Sequence, residues 1–102
     1  MTLPPEAASD LAVLRSQIDA VDAQMITLLG KRFELTRRIG RLKADSSLPS
    51  KDNVREAEQT LRRGRLAESV EVDRNLVVRL FDLITRFVVT EHEVIATQTE
   101  AN

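Results

Sequence analysis

The fold is decided by residues 11–43, which read LAVLRSQIDAVDAQMITLLGKRFELTRRIGRLK. Apolar residues recur here in alternating steps of three and four, the spacing of a helix that packs along its whole length. These seam positions are Leu11, Leu14, Ile18, Val21, Met25, Leu28, Leu35, Ile39 and Leu42. Asp10 is a suitable N-cap, so the pattern predicts one helix from about residue 10 to about residue 45.

A helix of this length is too long for one small chain to cover. It extends for about 50 Å at about 1.5 Å per residue, whereas a compact domain of about 100 residues has a radius of gyration of only about 13 Å. The chain has 102 residues, and those outside the helix are too few to enclose it. We therefore predict that a second copy covers the helix in an obligate homodimer.

Two shorter helices are predicted to follow. A loop is expected around Pro49, over residues 45–50. The second helix starts near Asp52, a good N-cap, and ends around Gly64, Arg65 or shortly beyond. The third runs from about residue 73 to residue 97 with a wide apolar stripe. The predicted fold class is all-α, a three-helix chain with a very long first helix. The predicted domain is residues 10–97, with a flexible lead at 1–9 and a frayed tail at 98–102.

Composition argues against several classes of function. The chain has no cysteine and a single histidine, His92, so a thiolate site or a multi-histidine metal site is impossible and we expect no metal. A net charge of −1 and an aromatic content of 3% argue against nucleic acid as a partner. The sequence has neither an apolar run of about 18 residues nor a secretory signal. We therefore expect no membrane partner and a cytoplasmic location.

The seam of the first helix contains one charged position. A step of four from Leu28 reaches Arg32, so a guanidinium occupies a core-facing position. Arg32 either pairs with a carboxylate or snorkels outward, or it belongs to an anion site between helices. Lys43 follows about three turns later. Arg15 lies about 25 Å away along the same helix and reaches that end only from the partner chain of an antiparallel dimer.

A second group of charges lies in the first turn of the second helix. It consists of Asp52, Arg55 and Glu56, of which Asp52 and Glu56 are four residues apart and share a face. Taken singly, each of these charges is more often a solvated group on a helix exterior. Charges at the edges of the seam in three separate segments together favour a binding site.

These residues form a pattern that covers the chain from about residue 11 to residue 95. It reads Leu14-Arg15…Ile18-Asp19-x-Val21-Asp22…Leu28-Leu29-x-Lys31-Arg32…Ile39-Gly40-x-Leu42-Lys43…Asp52-x-x-Arg55-Glu56…Leu80-Phe81-x-x-Ile84. The pattern resembles the all-helical, type II chorismate mutases (the AroQ class), and it is most similar to their small, unfused bacterial type. The resemblance implies an intertwined homodimer with two identical sites, each converting chorismate to prephenate without a cofactor.

The resemblance also implies roles for the charged residues. Arg15 from the partner chain binds one substrate carboxylate, and Arg32 clamps a carboxylate within its own chain. Lys43 contacts a carboxylate and the ether oxygen of the substrate. Arg55 supports a carboxylate, while Glu56 and Asp52 hold the ring hydroxyl. The six charged residues with implied roles are thus Arg15, Arg32, Lys43, Asp52, Arg55 and Glu56.

Two positions of the third helix depart from the family pattern. Val88 stands where many members carry a small polar residue, and His92 stands where the family usually has Gln or Glu facing the ether oxygen. His92 lies on the apolar face of its helix, four residues after Val88. We predict that its ring N–H donates to the ether oxygen beside Lys43, so that Lys43, His92 and Arg32 form the catalytic set. The alternative is a buried or half-buried structural histidine, for example one bonded to a backbone carbonyl.

Three other functions stay open on this fold. An isochorismate pyruvate-lyase and a 4-amino-4-deoxychorismate mutase use related substrates, and a carboxylate at Glu56 suits a ring amine as well as a hydroxyl. A non-catalytic helical dimerisation module is the remaining alternative, in which the charges are ordinary ion pairs. That alternative predicts that Arg32→Met is tolerated or even stabilising.

Overall fold

The computed structural model describes residue 2, residues 4–46 and residues 52–101, with side chains to residue 98. It contains three helices: α1 over Pro5–Ser46, α2 over Asn53–Ser69 and α3 over Arg74–Ala101. No strand occurs in the described residues, and the predicted all-α fold with a very long first helix is confirmed. None of the three helices, within those ranges, is long and apolar enough to cross a membrane.

Helix α1 begins earlier than the sequence pattern predicts. Pro5 is its first residue, a position where proline is favoured because its fixed φ suits the helix and its missing N–H is not needed. The amide of Ala8 donates to the carbonyl of Pro4 at 2.9 Å. Asp10 is therefore an interior helical residue, and the prediction that it caps the helix is wrong. At the other end α1 includes residues 45 and 46, and the rest of the predicted loop, 47–50, lies outside the described residues.

Helix α2 begins as predicted but ends later. Asp52 is its N-cap, with its side chain accepting a hydrogen bond from the amide of Arg55 at 3.0 Å. The helix continues past Gly64 to Ser69, because Gly64 serves a close approach and not a helix end. It is buried, and a Cβ added to it would lie 2.6 Å from the guanidinium carbon of Arg74.

Helix α3 follows after a short turn and packs against α2. Asp73 starts the helix, since its side chain accepts from the amide of Leu76 at 3.0 Å, and the helix extends beyond the predicted end at residue 97. The guanidinium of Arg63 on α2 lies 4.1 Å from the ring centroid of Phe81 on α3. Such a contact contributes about 0.5–1 kcal/mol when it is exposed. An ion pair from Arg74 to Glu68, at 3.1 Å, joins the two helices near the turn.

The chain divides into two compact units, Met1–Glu34 and Leu35–Asn102. In the first unit the seam side chains of α1 are exposed, with 51–64% of the surface of each accessible at Leu14, Ile18, Val21, Met25 and Leu28. In the second unit the buried apolar side chains among the described residues are Ala67 and Ile84 alone. The wide apolar stripe of α3 is exposed as well, at Leu76, Leu80, Leu83 and Phe87. In each unit, exposed apolar side chains in a row of this kind indicate a macromolecular interface.

The exposed seam generates a prediction about assembly. If a second copy covers it, folding and dimerisation are one equilibrium, and each tenfold rise in protein concentration stabilises the dimer by about 1.4 kcal/mol. For roughly 200 residues this shifts the melting temperature by about 3–6 °C. Thermal unfolding followed by circular dichroism over a hundredfold concentration range measures the shift. A fully helical monomer by light scattering at micromolar concentration would contradict the prediction.

Candidate functional site

The second half of α1 and the C-terminal half of α3 meet at His92. Its Nε2 lies 2.8 Å from the backbone carbonyl oxygen of Thr36 on α1. Gly40, one turn further along α1, is buried, and a Cβ built on it would lie 2.6 Å from Cδ2 and 3.0 Å from Nε2 of His92. The imidazole ring therefore rests directly on the backbone of α1, in a space that exists because residue 40 has no side chain.

An ion pair between the neighbouring residues reinforces this junction. Nε of Arg37 donates to Oε2 of Glu91 at 2.9 Å, and the two side chains are 45% and 22% exposed. The second carboxylate oxygen, Oε1, is buried and has no hydrogen-bond partner in the described part of the chain. A pair at this exposure contributes about 1 kcal/mol or less. Its greater effect is to fix which residues of α3 lie beside which residues of α1.

Lys43 and Val88 lie on the faces that form this junction. Thr36, Gly40 and Lys43 are spaced by four and three residues, so they share one face of α1. Lys43 is half-buried on that face, and Val88 is half-buried one turn before His92 on α3. Of the predicted site residues, the structure thus places Lys43, Val88 and His92 on the two helix faces that approach each other.

The predicted site residues of α2 lie at its N-terminus, and two of their contacts form the start of the helix. The side chain of Asp52 is engaged with the amide of Arg55, and the carbonyl of Asp52 accepts from the amide of Glu56 at 3.0 Å. All three residues are exposed. An N-cap of this kind stabilises a helix by about 1 kcal/mol, so Asp52 has a structural role whatever else it binds. No contact from these three side chains to the ring of His92 is seen among the described residues.

The remaining two site residues belong to the first unit. Arg15 is exposed, and Arg32 is half-buried. Both lie within α1, as the seam pattern predicts. Among the described residues no group of three or more His, Cys, Asp or Glu side chains is placed to hold a metal ion.

Sequence reasoning missed Thr36, Arg37, Gly40 and Glu91 as parts of the junction. One signal was present, because a glycine inside a helix costs about 1 kcal/mol relative to alanine and so often has a packing reason. Gly40 has such a reason in the ring of His92. The bond from His92 to a backbone carbonyl is the contact that the structural alternative for this residue requires, and it is present.

The described chain is an all-helical protein of three helices. Its candidate site groups include a histidine, a lysine and the acidic start of α2. The sequence model of chorismate mutase type II matches residues 14–93. The chain belongs to this family, and the resemblance seen in its residues is confirmed.

Curated relatives carry several names. The isochorismate pyruvate lyase of Pseudomonas aeruginosa is 31% identical over 88 residues, which are 85% of this chain and 85% of that protein. The chorismate mutase of Methanocaldococcus jannaschii is 27% identical over 74 residues, 72% of this chain and 75% of that protein. The 3-dehydroquinate dehydratase of Pyrobaculum aerophilum is 44% identical over 62 residues, 61% of this chain. That match covers 21% of the relative, so the chain spans about a fifth of the length of some of the proteins it matches.

The contact between Gly40 and His92 predicts opposite effects for two glycine substitutions in α1. A Cβ at Gly30 meets nothing within 4 Å, so Gly30→Ala is expected to raise the free energy of unfolding by about 0.5–1 kcal/mol. Gly40→Ala displaces the ring and breaks its bond to Thr36, and is expected to lower that free energy by about 1–2 kcal/mol. Urea denaturation at one fixed protein concentration measures both. Equal stabilisation by the two substitutions would show that the ring does not rest on Gly40.

Proposed function

We propose that this chain is a chorismate mutase, which rearranges chorismate to prephenate. The observation that supports this best is membership of the chorismate mutase type II family over residues 14–93. The charged positions that the family pattern requires all fall within or beside that stretch, at Arg15, Arg32, Lys43, Asp52, Arg55 and Glu56.

The chemistry needs these residue types and little else. A [3,3] rearrangement breaks an ether C–O bond and forms a C–C bond within one molecule, so no nucleophile takes part. The protein must hold a flexible dianion in a folded, near-attack conformation and stabilise the negative charge that develops on the ether oxygen. Guanidinium groups suit the first task, because their forked donors fix the orientation of a carboxylate better than an ammonium does.

Each residue has a role in the proposal. Arg32 and, from the partner chain, Arg15 bind the substrate carboxylates, with support from Arg55. Lys43 donates to a carboxylate and to the ether oxygen. Glu56 accepts from the ring hydroxyl, together with the oxygen of Asp52 that does not cap α2. These roles are carried over from the family pattern, position by position.

A homodimer is part of the same proposal. The seam of the first unit is exposed from Leu14 to Leu28, over about 20 Å of helix, and a second copy of this chain offers a seam of the same spacing and length. Arg15 lies beside Leu14 on that seam. A partner that covers the seam thus brings an arginine to the interface that it forms.

A second candidate function is isochorismate pyruvate lyase. A relative with that name matches over 85% of both chains. Lyase and mutase substrates are both dianions, so the arginines suit either. The groups around the ring substituent and the ether oxygen must therefore discriminate between the two substrates. At the position that faces the ether oxygen, this chain has His92 in place of the usual Gln or Glu.

Product analysis tests the proposal directly. Purified protein is incubated separately with chorismate, isochorismate and 4-amino-4-deoxychorismate, and the products are identified. Prephenate from chorismate, at a higher kcat/KM than any other conversion, is the expected result. Release of pyruvate from isochorismate alone would establish the lyase instead. If none of the three compounds is converted, the non-catalytic dimerisation module is the function that the result supports.

The contribution of Arg32 is tested with a matched control on the same helix. Arg32→Met is expected to lower kcat/KM by about 10²-fold or more, since a charge-assisted clamp on a carboxylate is lost. Arg38, which is exposed on α1, serves as the control, and Arg38→Met is expected to keep wild-type activity. Helicity and unfolding of both variants are compared by circular dichroism. An active and more stable Arg32→Met protein would contradict the proposed role.

Subunit mixing tests whether Arg15 acts in the partner's site. Arg15→Ala and Arg32→Ala proteins, each inactive alone, are mixed and allowed to exchange subunits. A heterodimer then has one site with both lesions and one site with neither, so each heterodimer is expected to recover one wild-type site. Exchange is verified with subunits of different mass. Proven exchange without any recovery of activity would show that both arginines serve the same chain's site.

A further inference from the structure

We propose that His92 turns Nδ1 towards the substrate while Nε2 stays bonded to α1, so that it donates a hydrogen bond to the substrate only as imidazolium. Binding of a dianionic ligand then takes up one proton at this residue. The inference rests on the proposed function for the substrate, but its geometric part concerns the ligand-free protein alone.

The orientation of the ring follows from the atoms nearest to Gly40. A Cβ built there would lie 2.6 Å from Cδ2, 3.0 Å from Nε2 and 3.2 Å from Cγ of His92. In an imidazole these three atoms are consecutive, and the remaining two, Nδ1 and Cε1, form the opposite edge. Nδ1 therefore lies on the side of the ring turned away from the backbone of α1.

The hydrogen bond to Thr36 fixes which nitrogen carries the proton. A backbone carbonyl oxygen only accepts, so Nε2 at 2.8 Å must donate to it. In a neutral imidazole one nitrogen is a donor and the other an acceptor. Neutral His92 is thus the Nε2–H tautomer, and the edge that is turned away from α1 carries a lone pair at Nδ1. An ether oxygen, which also only accepts, gains nothing from that edge until Nδ1 is protonated.

Protonation of His92 changes Nδ1 but leaves the contact between α3 and α1 intact. Nε2 carries a hydrogen in both the neutral and the charged ring, so the bond to the carbonyl of Thr36 persists in each. Only Nδ1 switches, from acceptor to donor. The residue can therefore act on a ligand through one nitrogen while it holds α3 to α1 through the other.

The charges around the ring make its protonation depend on a ligand. On α1 these are Arg37 and Lys43, and on α3 the carboxylate of Glu91, which is paired with Arg37 at 2.9 Å. The pair is neutral as a whole, and Lys43 is half-buried on the face of α1 that carries Thr36 and Gly40. A bound dianion adds two negative charges, which favours imidazolium in the complex.

Nuclear magnetic resonance tests the tautomer without reference to activity. His92 is the single histidine of the chain, so protein labelled with ¹⁵N-histidine gives one pair of ring nitrogen signals. At high pH, where the ring is neutral, the expected pattern is a protonated Nε2 and an unprotonated Nδ1. In Gly40→Ala, which displaces the ring, the two tautomers are expected to become mixed. An Nδ1–H tautomer in the wild-type protein would overturn the proposal.

Ligand binding tests the proton uptake. The probe is an oxabicyclic dicarboxylate with a bridging ether oxygen, a stable mimic of the cyclic transition state. Calorimetry at pH 8 in buffers of different ionisation enthalpy is expected to show uptake approaching one proton per site, with both ring nitrogens protonated in the complex. His92→Gln donates through its amide at any pH, and is expected to bind the probe with no uptake. Equal uptake by both proteins would overturn the proposal.

Kinetics separate this inference from the proposed function. In the wild-type protein kcat is expected to fall as the pH rises, because the imidazolium donor is lost. His92→Gln is expected to retain activity with a flat profile, and His92→Ala to lose about 10²-fold at low pH. Glu93→Gln, an exposed neighbour on the same helix, is the control and keeps the wild-type profile. An active protein whose profile is the same with Gln at position 92 would overturn the role of His92 and leave the mutase proposal standing.

Discussion

Helix α1 has 42 residues in a chain of 102, so the rest of the chain has too few side chains to cover its apolar seam. The other features of the structure depend on this constraint. The seam of α1 is regular enough to propagate a helix through two glycines, yet the described chain leaves it half-exposed from Leu14 to Leu28. Burying an apolar side chain of this size stabilises by about 1.5–3 kcal/mol. Five such side chains left in water forfeit a large part of the 5–15 kcal/mol by which a typical domain is stable.

The second unit compensates with directional contacts. Ala67 and Ile84 are its buried apolar side chains among the described residues, which is too little to specify how three helices fit. Arg63 over Phe81, Arg74 with Glu68, Arg37 with Glu91 and His92 on Thr36 each join two helices at a defined position. Contacts of this kind add little stability one by one, but a shift of one residue along a helix breaks them. They determine register, while the exposed apolar surface adds to stability only to the extent that it is removed from water.

The sequence predicts well those structural features that depend on residues close to each other along the chain. The steps of three and four in residues 11–43 predicted α1, and the aspartate before residue 53 predicted the start of α2, because both signals act within one or two turns. The start of α1 was predicted too late because residues 1–9 were expected to be a flexible lead, although proline at the first helical position favours a helix. The end of α2 was predicted only approximately, because Gly64 is also a residue that ends helices.

The junction at His92 was beyond local reasoning for a physical reason. Its bond to Thr36 joins residues 56 apart in sequence, and the pair of Arg37 with Glu91 joins residues 54 apart. No pattern within one helix reveals which turn of another helix lies beside it. The resemblance to the family predicts a donor at His92, but it does not say which ring nitrogen is turned away from α1. That follows only from the contacts with Thr36 and Gly40.

The use of histidine at this position has a physical consequence that an amide would not have. A glutamine donates through a neutral N–H at every pH, whereas His92, whose Nε2 already donates to the carbonyl of Thr36, donates to a second acceptor only when charged. The charged donor forms a hydrogen bond roughly twice as strong as a neutral one, and the strengthening is greatest when the acceptor itself becomes negative. In the proposed reaction the ether oxygen gains negative charge as its bond breaks, so an imidazolium donor favours the transition state over the bound substrate, which is the difference that accelerates a reaction. Under that proposal, a donor that is present at every pH is replaced by one that is stronger but must take a proton from solvent, and the charge of the bound dianion favours that uptake.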